Sequence, residues 1–303
     1  MKTTSKKLLA LVIALAMFAT LVLAGCGGTK KSDAIVIGSK DFTENLILAE
    51  LYALALEDNG FTVERKLSLA SSAVHTALVN DEIDLYPEYT GTGLLSVLKL
   101  DMETDPQKVY DTVKAAYEDQ FSVTWLDYSP ANDGQGLVIS KKASDQYVIT
   151  TISQLQQKSP NIRFASQGEF DERDDGIPGL TSVYGEFKFA SSRIYDNSLK
   201  YQILKNDEAD CAPAYTTEGQ LTDTDHFVLL EDDKQFWPPY NVAPVVRSDV
   251  LEANPAIAEV LNKLAPLLTT EVLTGLNAKV DLEQQEYEEV AAEYYAGIQA
   301  QLK

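Results

Sequence analysis

The sequence of 303 residues has few of the side chains that enzymes use for covalent or metal chemistry. It contains two cysteines and two histidines, and the histidines lie far apart at positions 75 and 226. No His-x-x-x-His spacing predicts a zinc site, and no Gly-x-Ser-x-Gly turn presents a hydrolase nucleophile. The glycine segments at 91–93 and 134–136 are too short for a phosphate-binding loop. We therefore predict a protein that is not an enzyme and that holds no metal or cofactor.

One apolar run approaches membrane-spanning length, and it lies at the start of the chain. It follows two lysines and ends in Leu23-Ala24-Gly25-Cys26. A basic start, an apolar middle and small residues at the end are typical of a secretory signal. The Leu-Ala-Gly-Cys ending resembles the bacterial lipobox, in which the cysteine carries a diacylglycerol. We predict a lipoprotein signal peptide at 1–25, lipidation of Cys26 and a flexible tether at 26–33.

A transmembrane helix is the alternative for this run. Its length of about 18 residues is at the short limit for spanning, and it ends in Gly-Cys-Gly-Gly rather than in a positively charged flank. The sequence therefore favours attachment to the cell membrane by lipid, on the extracytoplasmic face, which is the periplasm if the host has an outer membrane.

The second cysteine, Cys211, has no partner for a disulfide once Cys26 is assigned to the anchor. Its neighbours are small and apolar, so we predict a packed residue rather than a nucleophile. His226 is predicted to lie on the surface.

Positive charge is scarce. The chain has 46 acidic and 25 basic residues, a formal charge of −21. The leader carries three of the lysines and no acidic residue, so its removal would make the remainder more negative still. Such a surface repels nucleic acid and anionic lipid, and we predict no nucleic-acid partner. The charge mildly favours cationic solutes, although solubility alone would also account for it.

Short β-branched runs alternate with helical patterns in the first 90 residues after the tether. Strands are predicted at 34–38, 61–67 and 83–86, with helices between them that begin near Asp41 or Thr43 and near Ser71 or Ser72. This order is typical of a parallel sheet with crossover helices. In such sheets ligands bind beyond the carboxyl ends of the strands.

The α/β pattern repeats between two strands that we expect to cross between lobes, at 136–140 and at 241–247. Two crossings make a hinge, and the cleft beside a hinge can close on a ligand. We predict an α/β fold with two lobes joined by a double-crossover hinge. Lobe I comprises 34–139 plus 241–303, and lobe II comprises 140–240.

Aromatic residues are mostly tyrosine, with 15 Tyr against 2 Trp. Several fall in predicted loops: Tyr86, Tyr89, Tyr128, Tyr215 and Tyr240. Rings that face one cleft would form a cage for a quaternary ammonium group, which has no N–H to donate but is attracted by ring faces. Taken singly, each tyrosine has the simpler explanation of a packed amphipathic residue.

Three segments together carry a resemblance to a known family. They are Ile37–Glu44 (IGSKDFTE), Asp84–Thr92 (DLYPEYTGT) and Glu172–Leu180 (ERDDGIPGL). Over residues 34–303 the chain resembles the ABC-transporter solute-binding proteins for glycine betaine, choline and related osmoprotectants. The resemblance implies the type II periplasmic-binding-protein fold. It also implies a small trimethylammonium ligand and, as partners, an ABC permease with ATPase subunits.

The resemblance also implies roles for single residues. Family cage tyrosines match Tyr89, Tyr215 and Tyr240. Groups that hold the ligand carboxylate match Lys40, Thr92 and Arg173, and a carboxylate near the cage matches Asp133. A zwitterion needs such a cationic clamp at one end and ring faces at the other.

One position departs from the family pattern. Gln135 stands where many members have a fourth cage tyrosine, and Tyr128 is a candidate to fill that wall instead. A glutamine can bond a ligand hydroxyl, amide or ring, which makes larger trimethylammonium solutes such as carnitine or ergothioneine more credible. Ser71 and His75 are further possible ligand contacts, although a surface or interlobe histidine is the simpler explanation of His75.

Two other functions remain open from the sequence. The cations Lys40 and Arg173 would also fit an amino acid or another anion. A structural or adhesive lipoprotein without a small ligand is the third possibility. The interpretation we favour is an extracytoplasmic receptor that captures a quaternary ammonium compound by lobe closure and delivers it to the permease.

Overall fold

Two five-stranded sheets organise residues 34–172, 174–196 and 199–302, which are those that the computed structural model describes. The predicted signal peptide, Cys26, the tether and Arg173 lie outside these residues. The first sheet consists of β1 (Ile35–Lys40), β2 (Val63–Leu69), β3 (Leu85–Tyr89), β4 (Val123–Trp125) and β10 (Val242–Arg247). The second consists of β5 (Gln135–Ser140), β6 (Arg163–Ser166), β7 (Ser191–Ile194), β8 (Cys211–Tyr215) and β9 (Phe227–Leu229). The strand order is β2-β1-β3-β10-β4 in the first sheet and β7-β6-β8-β5-β9 in the second.

Helices cover the faces of both sheets. They are α1 (Thr43–Asp58), α2 (Val74–Val79), α3 (Thr90–Thr92, which continues as a π-turn Gly93–Val97), α4 (Pro106–Phe121), α5 (Lys141–Tyr147), α6 (Ile152–Lys158), α7 (Ile177–Tyr184), α8 (Lys200–Lys205), α9 (Ser248–Ala253), α10 (Ala256–Leu264), α11 (Thr270–Asp281) and α12 (Tyr287–Leu302). Short 3-10 turns occur at Ser159–Asn161, Glu169–Asp171, Gly219–Thr222 and Ala265–Leu267. Each sheet with its helices buries its own apolar core.

The first three strands of the first sheet are parallel, as predicted, whereas β10 joins them in the antiparallel direction. Strand β1 pairs in parallel with both β2 and β3, and α1 packs its buried face on β1. Lys40 and Tyr89 are the last residues of β1 and β3. Because parallel strands end at one edge, the chain delivers both side chains to the same place.

The chain crosses between the sheets twice, along 126–134 and along 230–241. Strand β5 pairs antiparallel with β8 and β9, whereas β10 pairs antiparallel with β3 and β4. The end of lobe I predicted at 139 is therefore too late, because β5 already belongs to the second sheet from Gln135 onward. The other lobe boundaries stay predictions.

The two crossing segments lie side by side. An isolated antiparallel bridge joins Asn132 to Asn241, and Asp133 N donates to Tyr240 O at 3.1 Å. The Asn132 side chain accepts a 2.6 Å hydrogen bond from the Tyr240 backbone N–H. This pairing sets Asp133 and Tyr240 close together between the two sheets.

Candidate functional site

A cavity of about 630 Å³ lies where the two sheets and the crossing segments meet. Eight of the residues predicted from the sequence line it: Lys40, Ser71, Tyr89, Thr92, Asp133, Gln135, Tyr215 and Tyr240. Nine further residues complete the wall: Phe42, Thr43, Glu44, Ser72, Ser96, Thr217, Glu218, Asn277 and Asp281. Residues almost 240 positions apart in the sequence therefore share one wall.

Lys40 reaches the cavity with its charge already paired. Its Nζ donates to Glu88 Oε1 at 2.5 Å, and the two side chains are 5% and 2% exposed. Glu88 also accepts from the Tyr86 hydroxyl at 2.8 Å and from the Tyr89 backbone N–H at 2.8 Å. These contacts favour a structural role for Lys40 over the predicted role as a clamp for a ligand carboxylate, because its ammonium group is satisfied within the protein.

Tyr89 is held on several sides. Its hydroxyl donates to Glu44 Oε1 at 3.0 Å, and the Lys40 ammonium lies 4.9 Å from its ring centroid. The Phe42 ring centroid lies 6.0 Å from that of Tyr89. Burial, with the nearby Glu44 carboxylate, raises the pKa of Tyr89 well above its usual value. The hydroxyl therefore remains a protonated donor, and the ring orientation is fixed before a ligand arrives.

Two buried carboxyl groups give the cavity an acidic wall. Glu44 Oε2 accepts from Asn277 Nδ2 at 2.9 Å, and Asp133 Oδ1 accepts from the Thr217 hydroxyl at 2.7 Å. Burial raises the pKa of Glu44, and burial together with the Glu44 charge raises the pKa of Asp133 well above its ordinary value. Burial destabilises both groups as anions, so a cation placed beside them would be bound favourably.

Tyr215 and Gln135 come from neighbouring strands of the second sheet. They are directly opposite each other in the β5–β8 pair. The Tyr215 ring is 39% exposed, and the Lys200 ammonium lies 5.7 Å from its centroid. Lys200 is itself paired with Glu218, another residue of the cavity wall.

Tyr240 packs against a glycine that its ring requires. A Cβ atom at Gly91 would lie 2.7 Å from the Tyr240 ring atoms Cδ1 and Cε1. The Thr90 hydroxyl beside this glycine donates to the carbonyl of Pro239 at 3.0 Å. The glycine of the Tyr-Thr-Gly-Thr motif, which begins at the last residue of β3, therefore lets the Tyr240 ring lie close to the backbone.

Two predicted contacts are absent from the wall of this cavity. His75 packs edge-on against Tyr117 and Phe121, with ring centroids 5.2 and 4.7 Å apart. Tyr128 packs against Tyr110 at 4.9 Å. Both rings pack against residues of helix α4 and do not line the cavity. This corrects the expectation that they contact the ligand. The predicted role of Arg173 falls on a residue outside the described part of the chain.

Cys211 and His226 lie outside the cavity, in the surroundings predicted for them. Cys211 is fully buried, and burial raises the pKa of its thiol. His226 is exposed and pairs with Asp223 at 2.7 Å. Among the described residues, no helix is both long and apolar enough to cross a membrane.

The sequence missed the polar floor of the cavity. Glu44 closes the motif Ile37–Glu44, so its position in that motif was an available signal. Asn277 and Asp281 lie on α11, a helix that the sequence pattern did not predict. Thr217 follows two residues after the predicted cage residue Tyr215.

The type II periplasmic-binding-protein architecture, with a ligand-sized cavity between two crossed-over sheets, defines a solute-binding protein. The chain belongs to the family described as the substrate binding domain of ABC-type glycine betaine transport systems, whose model matches residues 33–297. It is a solute-binding protein of an ABC importer and works on the extracytoplasmic side of the membrane. The predicted family and fold are thereby confirmed.

Known proteins similar to this chain carry different solutes in their names. It is 32% identical over 277 residues to a glycine-betaine-binding protein of Pseudomonas aeruginosa, and this match covers 88% of each chain. It is also 32% identical over 276 residues to the ergothioneine transport permease/ergothioneine binding protein EgtU of Helicobacter pylori. That match covers 88% of this chain and 49% of the relative, so the chain spans about half of that protein's length. A solved structure described as a glycine betaine/carnitine/choline ABC transporter superposes with a TM-score of 0.83 at 26% identity, and the match covers 89% of this chain and 100% of that one.

Proposed function

We propose that this protein captures a quaternary ammonium compound, such as glycine betaine, choline or carnitine, and passes it to an ABC permease driven by ATPase subunits. The observation that carries the proposal is the convergence of Tyr89, Tyr215 and Tyr240 on one cavity that also contains the carboxyl groups of Glu44 and Asp133.

The ring faces supply attraction that needs no hydrogen bond. A trimethylammonium group spreads its charge over methyl groups and cannot donate to a carboxylate. Each ring contributes roughly 0.5–2 kcal/mol, and more when the pair is desolvated. Three rings with one or two carboxylates nearby are enough for micromolar affinity, which corresponds to about −8 kcal/mol.

The opposite end of the ligand is recognised by hydroxyl groups and by the predicted cation Arg173. Thr92, Ser71, Ser72 and Ser96 line the cavity and can donate to a carboxylate or accept from a hydroxyl. Lys40 contributes little directly, because Glu88 neutralises it. For charge recognition of a ligand carboxylate we therefore propose Arg173, the other cation that the resemblance assigns to this end of the ligand.

The remaining parts of the proposal concern attachment and chemistry. A diacylglycerol on Cys26 holds the protein at the outer face of the membrane, where at least two acyl chains give stable anchoring. The protein binds and releases its ligand unchanged, because its cavity groups serve as ring faces, acceptors and donors rather than as nucleophiles.

A second candidate is a larger trimethylammonium solute such as ergothioneine. Gln135 stands in the wall and also borders a neighbouring cavity of about 660 Å³, which offers room and an amide to a ring-bearing ligand. The similarity to EgtU supports the same alternative. An amino acid is the third candidate, and it would lack the methylated head that the rings favour.

Titration calorimetry with glycine betaine, choline, carnitine, ergothioneine and unmethylated amino acids separates these candidates. We expect micromolar or tighter binding by at least one trimethylammonium compound and none by an unmethylated amino acid. Silence of the whole methylated set would reject the proposal. Preference for ergothioneine over the three smaller compounds would select the second candidate.

A further inference from the structure

Helix α11 carries an asparagine that touches both halves of the binding site. Asn277 is 4% exposed, and its Nδ2 donates to Glu44 Oε2 at 2.9 Å and to the Thr217 carbonyl at 2.8 Å. Both partners are acceptors, which assigns the nitrogen rather than the oxygen of the amide to this position. One side-chain nitrogen thus joins helix α1 of the first sheet to the segment that follows β8 of the second.

The side-chain oxygen of Asn277, unlike its nitrogen, is not hydrogen-bonded within the described part of the chain. Its Oδ1 is buried and has no hydrogen-bond partner among the described residues. A buried acceptor without a partner costs free energy and calls for an explanation. The two donations of Nδ2 provide one, because they can be made only from this buried place between the sheets.

Glycine allows the same two parts of the chain to meet closely. A Cβ atom at Gly219 would lie 2.6 Å from both Cα and N of Ala278, so only glycine fits against α11 here. Leu273 and Leu276 of α11 belong to the core of the first sheet, whereas Leu221 of the Gly219 turn packs in the second. The contact between the Gly219 turn and α11 therefore joins the part of the protein built on the first sheet to the part built on the second.

We propose that Asn277 is a positioning residue that couples the ligand cavity to the docking of the second sheet. The proposal rests on the proposed function, because the coupling runs through Glu44. A ligand cation favours the ionised Glu44 carboxylate, and an ionised acceptor strengthens the bond from Asn277. The same amide nitrogen then holds Thr217, which bonds Asp133 and follows the cage residue Tyr215 by two positions.

Two variants break this docking in different ways. Asn277→Asp keeps the shape but places a third carboxylate beside Glu44 and the Thr217 carbonyl, with no N–H to donate. Gly219→Ala removes no polar group, but the added methyl group pushes the turn away from α11. The matched control is Gly275→Ala, on the same helix, where an added methyl meets no atom within 4 Å.

The experiment measures ligand release by stopped flow and amide hydrogen exchange of residues 216–223. We use whichever trimethylammonium compound binds the unaltered protein most tightly. Both variants should release it at least tenfold faster with little change in association rate, and should lose the exchange protection that the ligand gives this segment. Gly275→Ala should match the unaltered protein in both readouts.

Amide exchange of residues 216–223 is also measured without ligand, in the variants and in the unaltered protein. This measurement separates the inference from the proposed function. If the unaltered protein bound no trimethylammonium compound, the proposed function would fail, yet faster exchange of 216–223 in either variant would still support the docking contact. Unchanged exchange and release in the folded variants, even with a lower melting temperature, would show that Asn277 and Gly219 serve stability alone and would overturn the inference.

Discussion

Replacing Glu44 by glutamine should weaken ligand binding and stabilise the empty protein at the same time. The change removes one buried negative charge while keeping the side chain's shape. The glutamine oxygen can still accept from Asn277, and its amide nitrogen can donate to the Tyr89 hydroxyl in place of the present Tyr89-to-Glu44 bond. The fold should therefore be retained.

The loss of affinity follows from Coulomb's law. A unit charge about 6 Å from a ligand cation, at an effective dielectric constant of about 20, contributes roughly 2–3 kcal/mol. We expect Asp133, which remains, to retain part of the attraction. Calorimetry should thus show a dissociation constant raised by about tenfold or more, since each 1.4 kcal/mol is a factor of ten.

The gain in stability follows from the direction of the Glu44 pKa. Burial raises this pKa in the folded protein, so ionisation of Glu44 opposes folding. The cost is absent below the unfolded pKa of the carboxyl, where both states are protonated, and it is fully present above the raised folded pKa. The Glu44→Gln variant should therefore match the unaltered protein at pH 4 and unfold at higher temperature at pH 8. A lower melting temperature at pH 8, or a dissociation constant within twofold of the original, would refute the reasoning.

Three further outcomes are expected. Tyr240→Ala should raise the dissociation constant at least tenfold in calorimetry, whereas Tyr240→Phe should change it little, because the ring face does the binding; equal losses from both would contradict the cage. Gly91→Ala should weaken binding without unfolding the protein, because the new methyl would lie 2.7 Å from the Tyr240 ring and displace it; unaltered affinity would show that the ring does not need this place. Cys211 should resist thiol reagents at pH 8 until the protein is denatured, since burial raises its pKa, and rapid modification of the folded protein would contradict its packing.

The central strands and the first helix could be predicted because local signals agree with tertiary packing. The run Ala34–Gly38 is β-branched and apolar, and it becomes β1. The helix predicted to begin near Asp41 or Thr43 becomes α1, Thr43–Asp58. The sequence offers two candidate caps for its start, but the N-cap position is Phe42, which gives no side-chain cap, and the Thr43 hydroxyl donates to Asp281.

Strand β8 and helix α11 escaped prediction for different reasons. The sequence Cys-Ala-Pro-Ala-Tyr of β8 has no β-branched residue, and its pairing with β5 rather than its own propensity makes it a strand. Helix α11 contains a glycine, two threonines, two valines and an asparagine, all of which lower helix propensity. The buried residues Leu273 and Leu276 nevertheless hold the helix on the core.

The tyrosines of the cavity wall could be predicted, but their electrostatic partners could not. The motifs and the resemblance pointed to Tyr89, Tyr215 and Tyr240, which line one cavity. The pairing of Lys40 with Glu88 joins residues 48 positions apart, and that of Glu44 with Asn277 joins residues 233 apart. No local pattern reports such contacts, so the resemblance alone assigns Lys40 to the ligand carboxylate and gives no sign of its pairing with Glu88.

The most direct test of the central claim compares a ligand with the carbon isostere that lacks its positive charge. Choline is compared with 3,3-dimethylbutan-1-ol, and glycine betaine with 3,3-dimethylbutanoate, because each pair differs only in having nitrogen or carbon at the branched centre. If three rings and the buried carboxyl groups recognise positive charge, the nitrogen compound should bind about 100-fold more tightly, which corresponds to roughly 3 kcal/mol. Equal binding of the two members by calorimetry would show that the cavity recognises only shape and would contradict the aromatic cage.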